Sequence, residues 1–374
     1  MKFSNPQLKV AIASYVDANK ISVDTYDITR NNVAGLVDKI GKIFSLDTSY
    51  IDKLAMFDGE FLSFAKDIEE WQEDLLLPAN YDSTGANTLA PHDPSYRPAF
   101  YSKSLGQKTF ATTIRNNNLE RAVHFIEQFN ELVAMITKRL LDSEALWRYA
   151  EKREILGLMI AECGDVYSTT KTFTASTKYD VGEHLRSAST GTIEYGIVVK
   201  PIAVADAISS WANAVAGGYV IVQDLITEIA KPVDTSSAEA FIQQLKCDVE
   251  VASDYSEGHS LSGNTLGASE NLVLLVKQGV EPVLDVQALA GAFHQERLLE
   301  PKAPIVVIKD FGSTDTKTFA VLCDKRSIRL HDSYRAVREQ MNAQGDFINY
   351  FLQTEVSAHY SKNTFLKVYQ EPSA

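Results

Sequence analysis

The sequence predicts an α+β fold, and three stretches predict it. Residues 272–276, LVLLV, are apolar at every position, too short for a helix and rich in strand formers, as in a strand buried on both faces. Along 116–141, Leu119, Val123, Ile126, Val133, Ile136 and Leu140 recur at helical spacing with Phe129 beside them, which makes one apolar stripe on a long helix. Residues 58–115 begin and end in extended-type sequence around a proline-rich polar tip, the pattern of a long hairpin.

In chain order, 1–57 read as an N-terminal arm with short helices. Asn32 caps 33–44, and Asp47 caps a turn that points Ile51 and Leu54 inward. The hairpin, 58–115, opens with a strand at 59–64 and closes with one at 110–115. Pro78, Pro91, Pro94 and Pro98 lie between them. A lone two-stranded arm is marginally stable in water. Its large apolar residues, Phe61, Phe64, Trp71, Tyr96 and Phe100 among them, therefore need a surface from elsewhere, on a second copy or on the chain's own body. The first strand is also acidic: Asp58, Glu60, Asp67, Glu69, Glu70, Glu73 and Asp74 face one base, Lys66. Such a run is ordinarily a solvated face. The alternative is one side of a seam, with Lys138 and Arg139, or Arg326, Arg329, Arg335 and Arg338, of an adjacent subunit opposite.

Asn118 caps the long helix, and Lys138 and Arg139 suit its negative C-terminal end. A second helix is expected over 143–160. The stretch 165–191 is polar and Ser/Thr-rich, and 202–216 reads as a small-residue helix. Ser236 or Ser237 caps a helix over 238–251 with Phe241, Leu245 and Val249 inward. A flexible loop, 253–269, leads to the 272–276 strand. Asp285 then caps a helix that buries Val286, Leu289, Ala290 and Phe293, and buried strands follow at 305–308 and 319–322.

Three cysteines far apart, Cys163, Cys247 and Cys323, argue against a disulfide framework and for a reducing compartment. No signal-peptide core and no membrane span is read, so a soluble intracellular chain is expected. A net charge of −13 without a basic stripe argues against tight nucleic-acid binding. No metal, cofactor or nucleophile signature is present, so no catalytic residue and no cofactor are expected. Near-matches fail. Gly35 to Lys42 has five residues between glycines where a phosphate loop needs four, and Ser168 to Lys171 lacks the partner motifs of an acyl-enzyme. His124 and Glu127 lack the further ligands of a metal site.

The blocks VLDV at 283–286, LAGAF at 289–293, IKDFGST at 308–314, VLCDK at 321–325 and IAKPVDTSS at 229–237 are collinear with the late part of a tailed-phage major capsid protein. The chain resembles the head proteins of phi-twenty-nine-like short-tailed phages, which share the Hong Kong ninety-seven-type capsid fold. The resemblance implies an N-terminal arm (1–57), an extended β-hairpin loop (58–115), a peripheral domain with a long spine helix (116–163 and 336–374) and an axial domain (225–335). It leaves 164–224 as an insertion of unknown role. It further implies self-assembly into pentamers and hexamers of an icosahedral-type shell that encloses double-stranded DNA without sequence-specific binding. A scaffolding protein and a portal at one vertex are the implied partners, with assembly in the host cytoplasm and residence in the virion. Alternatives are a cellular nanocompartment shell or a cytosolic enzyme.

Overall fold

The computed structural model describes residues 50–62, 68–73, 96–101, 104–115, 126–169, 171–265, 267–268, 271–284, 303–313 and 317–372. The expectations for the arm at 1–49, the cap at Asn118, His124 and the helix over 286–293 lie outside these residues. In chain order the elements are β1 (Ile68–Glu73), β2 (Tyr96–Tyr101), β3 (Ser104–Arg115), α1 (Ile126–Ser168), β4 (His184–Arg186), β5 (Tyr195–Val198), α2 (Trp211–Ala216), β6 (Val220–Val222), β7 (Ile226–Glu228), α3 (Thr235–Ala252), β8 (Ser256–Ser260), β9 (Gly263–Thr265), β10 (Leu272–Lys277), β11 (Ile305–Ile308), β12 (Thr318–Asp324), β13 (Ile328–Asn342), β14 (Phe347–Tyr360) and β15 (Leu366–Gln370). The chain divides into two compact units. One takes residues 1–50, 110–143 and 337–352, the other 51–109, 144–336 and 353–374.

The larger unit is built on a five-stranded sheet in the order β11-β10-β12-β15-β7. β10 runs parallel to β11 and antiparallel to β12. All of 272–276 is buried, as a doubly covered strand requires, and so is every position of β12. α3 lays Ala238, Phe241, Ile242, Leu245, Val249 and Ala252 into the same core. Phe241 meets Phe319 and Tyr369 edge-on, with centroids 5.3 and 5.2 Å apart, and each such pair contributes about 1 kcal/mol beyond its burial. The cap of α3 is Asp234 rather than Ser236 or Ser237. Its carboxylate accepts from Ser237 N at 2.8 Å, while Ser237 Oγ accepts from Asp234 N at 3.1 Å.

The closing strand departs from the expected division. β15 lies between β12 and β7, so 366–370 belongs to the sheet of the 225–335 segment. Lys367 on this strand is buried, and its ammonium donates to the carbonyl of Asp224 at 3.1 Å and to its Oδ1 at 2.6 Å. Next to it, Tyr369 Oη donates to Asp248 Oδ2 at 2.6 Å. Both contacts satisfy a polar end whose stem completes the core.

Residues 171–222 form a small module of their own. Its three-stranded sheet has the order β4-β5-β6, and its core contains Tyr179, Leu185, Val198, Ile202, Ala214 and Val220, flanked by Phe173 and Trp211. The helix expected over 202–216 shrinks to α2, which Ser210 starts by accepting from Asn213 N. The loop expected over 253–269 contains the β8–β9 ribbon. Its strands carry Ser256 and Thr265, whose buried hydroxyls pair at 3.0 Å, and that polar composition concealed them from a hydrophobic-pattern reading.

The two helices expected over 116–141 and 143–160 are one. α1 runs unbroken from Ile126 to Ser168, and Ser143 is accommodated because its Oγ donates back to Arg139 O at 2.7 Å. In the larger unit Gly157 lets a loop onto this helix: a Cβ there would stand 2.6 Å from Phe311 O. A further sheet has the order β13-β14-β3. In the smaller unit Thr113 Oγ1 donates to Asn349 Oδ1 at 2.7 Å, while Val337 and Met341 are exposed.

Candidate interaction surface

The hairpin exists, but with strands other than those expected. β1 pairs antiparallel with β2, placing Glu69 opposite Phe100, Trp71 opposite Pro98 and Glu73 opposite Tyr96. Residues 110–115, expected to pair with 59–64, belong to β3 beside β14 instead. Side chains alternate along β1. Ile68 and Glu70 are half-buried, and Glu70 Oε1 accepts from Ser361 Oγ at 2.7 Å. Glu69 and Trp71 face outward, with 56% of Trp71 exposed, and Phe61 on the approach to the hairpin is 59% exposed. Exposed large aromatic side chains such as these are costly in water and ordinary at an interface.

Residues 50–62, the root of the hairpin, are held by charge. Leu54 and Phe57 are fully buried, and a 3-10 turn spans Ala55–Phe57. Ile51, expected inward with Leu54, is 81% exposed, because the Asp52 side chain instead receives Leu54 N at 2.8 Å and turns the chain. Lys152 of α1 has no exposed surface. Its ammonium lies 2.7 Å from both Asp52 Oδ2 and Asp58 Oδ1, and 3.0 Å from Leu54 O. One turn earlier, Arg148 contacts Asp332 and Glu144. Burial works against its charge, but these carboxylates outweigh that and raise its pKa. Beyond the turn, Gly59 N donates to Leu330 O and Leu62 N to Asp332 O, each at 2.8 Å, so 58–62 rides along the start of β13.

The basic residues proposed for a seam divide. Arg326 is paired with Asp324 of its own chain, Arg329 donates to the carbonyls of Met56 and Asp58, and Arg335 pairs with Glu144 at 2.6 Å. Each of these three has a partner within its own subunit. Lys138 and Arg139 lie on α1 and Arg338 on β13; Arg139 is exposed. Phe64 and Asp74 lie outside the described residues, and Glu73, Tyr96 and Phe100 are placed as register positions alone.

Among the described residues no group of three or more metal-ligating side chains converges, and no helix is long and apolar enough to cross a membrane. Burial pushes the Cys163 and Cys323 thiols far up, which suits packing rather than nucleophilic chemistry. Ser168 Oγ donates to Asp165 O, and the Lys171 ammonium pairs with Glu183, so the Ser-x-x-Lys tetrad assembles no acyl-enzyme site.

The fold is the Hong Kong ninety-seven-type capsid fold. The chain matches a chain of the capsid structure of Staphylococcus phage Andhra with a TM-score of 0.61 at 9% identity, over 94% of this chain and 90% of that one. It matches a chain from the structure of the head fiber and inner core protein of native bacteriophage P68 with a TM-score of 0.56 at 10% identity, over 88% and 87%. The family model for the Phi29-like phage major capsid protein matches residues 3–207 and 226–365, and the chain belongs to that family. The major capsid protein of Bacillus phage PZA is 22% identical over 321 residues. That match spans 85% of this chain and 58% of the relative. The family match is broken only at 208–225, so the unmatched stretch is shorter than the 164–224 insertion expected. It contains α2 and β6, which complete the small core of the 171–222 module.

Proposed function

We propose that this chain is the shell-forming subunit of a phage head, and that it acts by assembly. Copies ring into pentamers and hexamers and close into an icosahedral-type shell around double-stranded DNA. The observation that carries this reading is the outward face of the hairpin, where Glu69 and Trp71 stand exposed on a two-stranded element that is marginal alone. A second copy supplies the missing cover. Membership of a capsid family supports a phage head over a cargo compartment, and a structural role over catalysis.

Contacts of ordinary size, roughly 1,200–2,000 Å² each, suffice because every subunit makes several. Glu69 and its acidic neighbours form one side of the seam, and Lys138, Arg139 and Arg338 of an adjacent copy are the candidate cations for the other. The net charge of −13 fits a container that does not grip its packed DNA. A scaffolding protein and a portal are the further partners in this reading, and assembly takes place in the host cytoplasm. Sedimentation and electron microscopy of the purified protein test it. Capsomer rings or hollow shells are expected; a discrete small oligomer under every condition that promotes assembly overturns it.

A further inference from the structure

The seat of the hairpin root contains a feature that the assembly reading does not use. His331 on β13 and His359 on β14 stack face to face, with centroids 5.3 Å apart and planes 9° from parallel. The His331 ring lies flat on Gly59, so closely that a Cβ there would stand 2.4 Å from ring atoms. His331 Nδ1 is 2.9 Å from Glu60 O and must carry the proton, since a carbonyl can only accept. One imidazole therefore packs against the backbone that leads into the hairpin, and a second is stacked on it.

We infer that this stacked pair makes the seat of residues 58–62 an acid-released catch, and so sets the pH range in which the hairpin is presented for assembly. The inference rests on the proposed assembly role for its purpose, though not for its mechanism.

Protonation of His359 places a charge in a half-buried stack beside the Arg329 guanidinium. Among the described residues, the charged groups that act on His359 are His331 and Arg329 on β13. Arg329 is held where it is by the Met56 and Asp58 carbonyls. Glu60 is exposed and contributes its backbone carbonyl. Burial, then His331 and Arg329, hold the His359 imidazolium down to about 4 from its ordinary 6.5. The folded state thus favours the neutral ring. Its contribution is complete above about pH 6.5 and is lost as pH falls toward 4. The strain is relieved when the His331 ring lifts from Gly59, which frees the two amides that bond to β13.

Hydrogen exchange on the full-length subunit, kept too dilute to assemble, reads the catch directly. The amides of Gly59 and Leu62 report it, after correction for intrinsic exchange. Their protection should fall about tenfold or more between about pH 7.5 and 4.5 in the wild type, and about twofold or less in His359→Phe. Gly59→Ala, which wedges the ring away, should lack that protection already at neutral pH. Unchanged wild-type protection, or an equal fall in His359→Phe, overturns the catch. If His359→Phe does not fold, histidine ring-proton titration of the wild type decides: a folded-state His359 that titrates at or above its ordinary 6.5 removes the proton linkage and overturns it equally. Failure to form shells at any pH would instead refute the assembly role and leave the exchange result standing.

Discussion

Lys152 illustrates how single residues organise this chain. Its side chain is completely buried, and its charge is balanced by Asp52 and Asp58, which are 100 and 94 positions earlier. Removing one partner of a buried pair costs far more than the pair itself contributes, because the remaining charge is stranded. Asp58 is partly exposed and also near Arg148, so Asp52 bears most of the loss. Lys152→Met should destabilise the free subunit by about 3 kcal/mol, read from urea unfolding; a change under about 1 kcal/mol would show that the ammonium is dispensable. No local pattern marks this lysine. It reads as one of several charges on a helix, and its importance depends on which distant carboxylates reach it.

At the scale of elements, the sequence showed strands and helical faces better than their ends and partners. β10, β11 and β12 were legible because an apolar run flanked by turn residues is a local property. The break expected near Ser143 was not real, since a serine can bond back to the preceding turn and stay helical. The hairpin was legible as an element but not in its pairing. Strand-type sequence at 59–64 and 110–115 suggested one ladder, whereas the structure pairs 68–73 with 96–101 and gives 104–115 to another sheet. The resulting register separates inward Glu70 from outward Glu69 and Trp71. Trp71→Ala should therefore impair assembly, as scattering would register, by more than its effect on the urea unfolding of the subunit explains. Glu69→Lys should impair assembly at low salt and recover at high salt, because exposed charges are screened within about 10 Å at 0.1 M. Equal assembly of Glu69→Lys and wild type at low salt would remove the seam from consideration.

For the molecule as a whole, folding and assembly should be separable. The five-stranded sheet and α3 form a core whose described members all lie outside the hairpin. Deleting residues 80–93 should leave a cooperatively folding subunit with native helix content that no longer closes shells. Normal particles from this variant, seen by electron microscopy, would make the tip superfluous.

Composition and periodicity alone determined the α+β class, the fully buried strands and the inward face of α3. Each depends on residues within a few positions of one another, where side-chain spacing dictates which face is covered. Only the tertiary structure decided which strands pair, that β15 closes the sheet of the 225–335 segment, that Lys152 and Arg148 clamp the hairpin root, and that two histidines stack beneath it. Those contacts join positions far apart in sequence, so they exist only once the chain has folded.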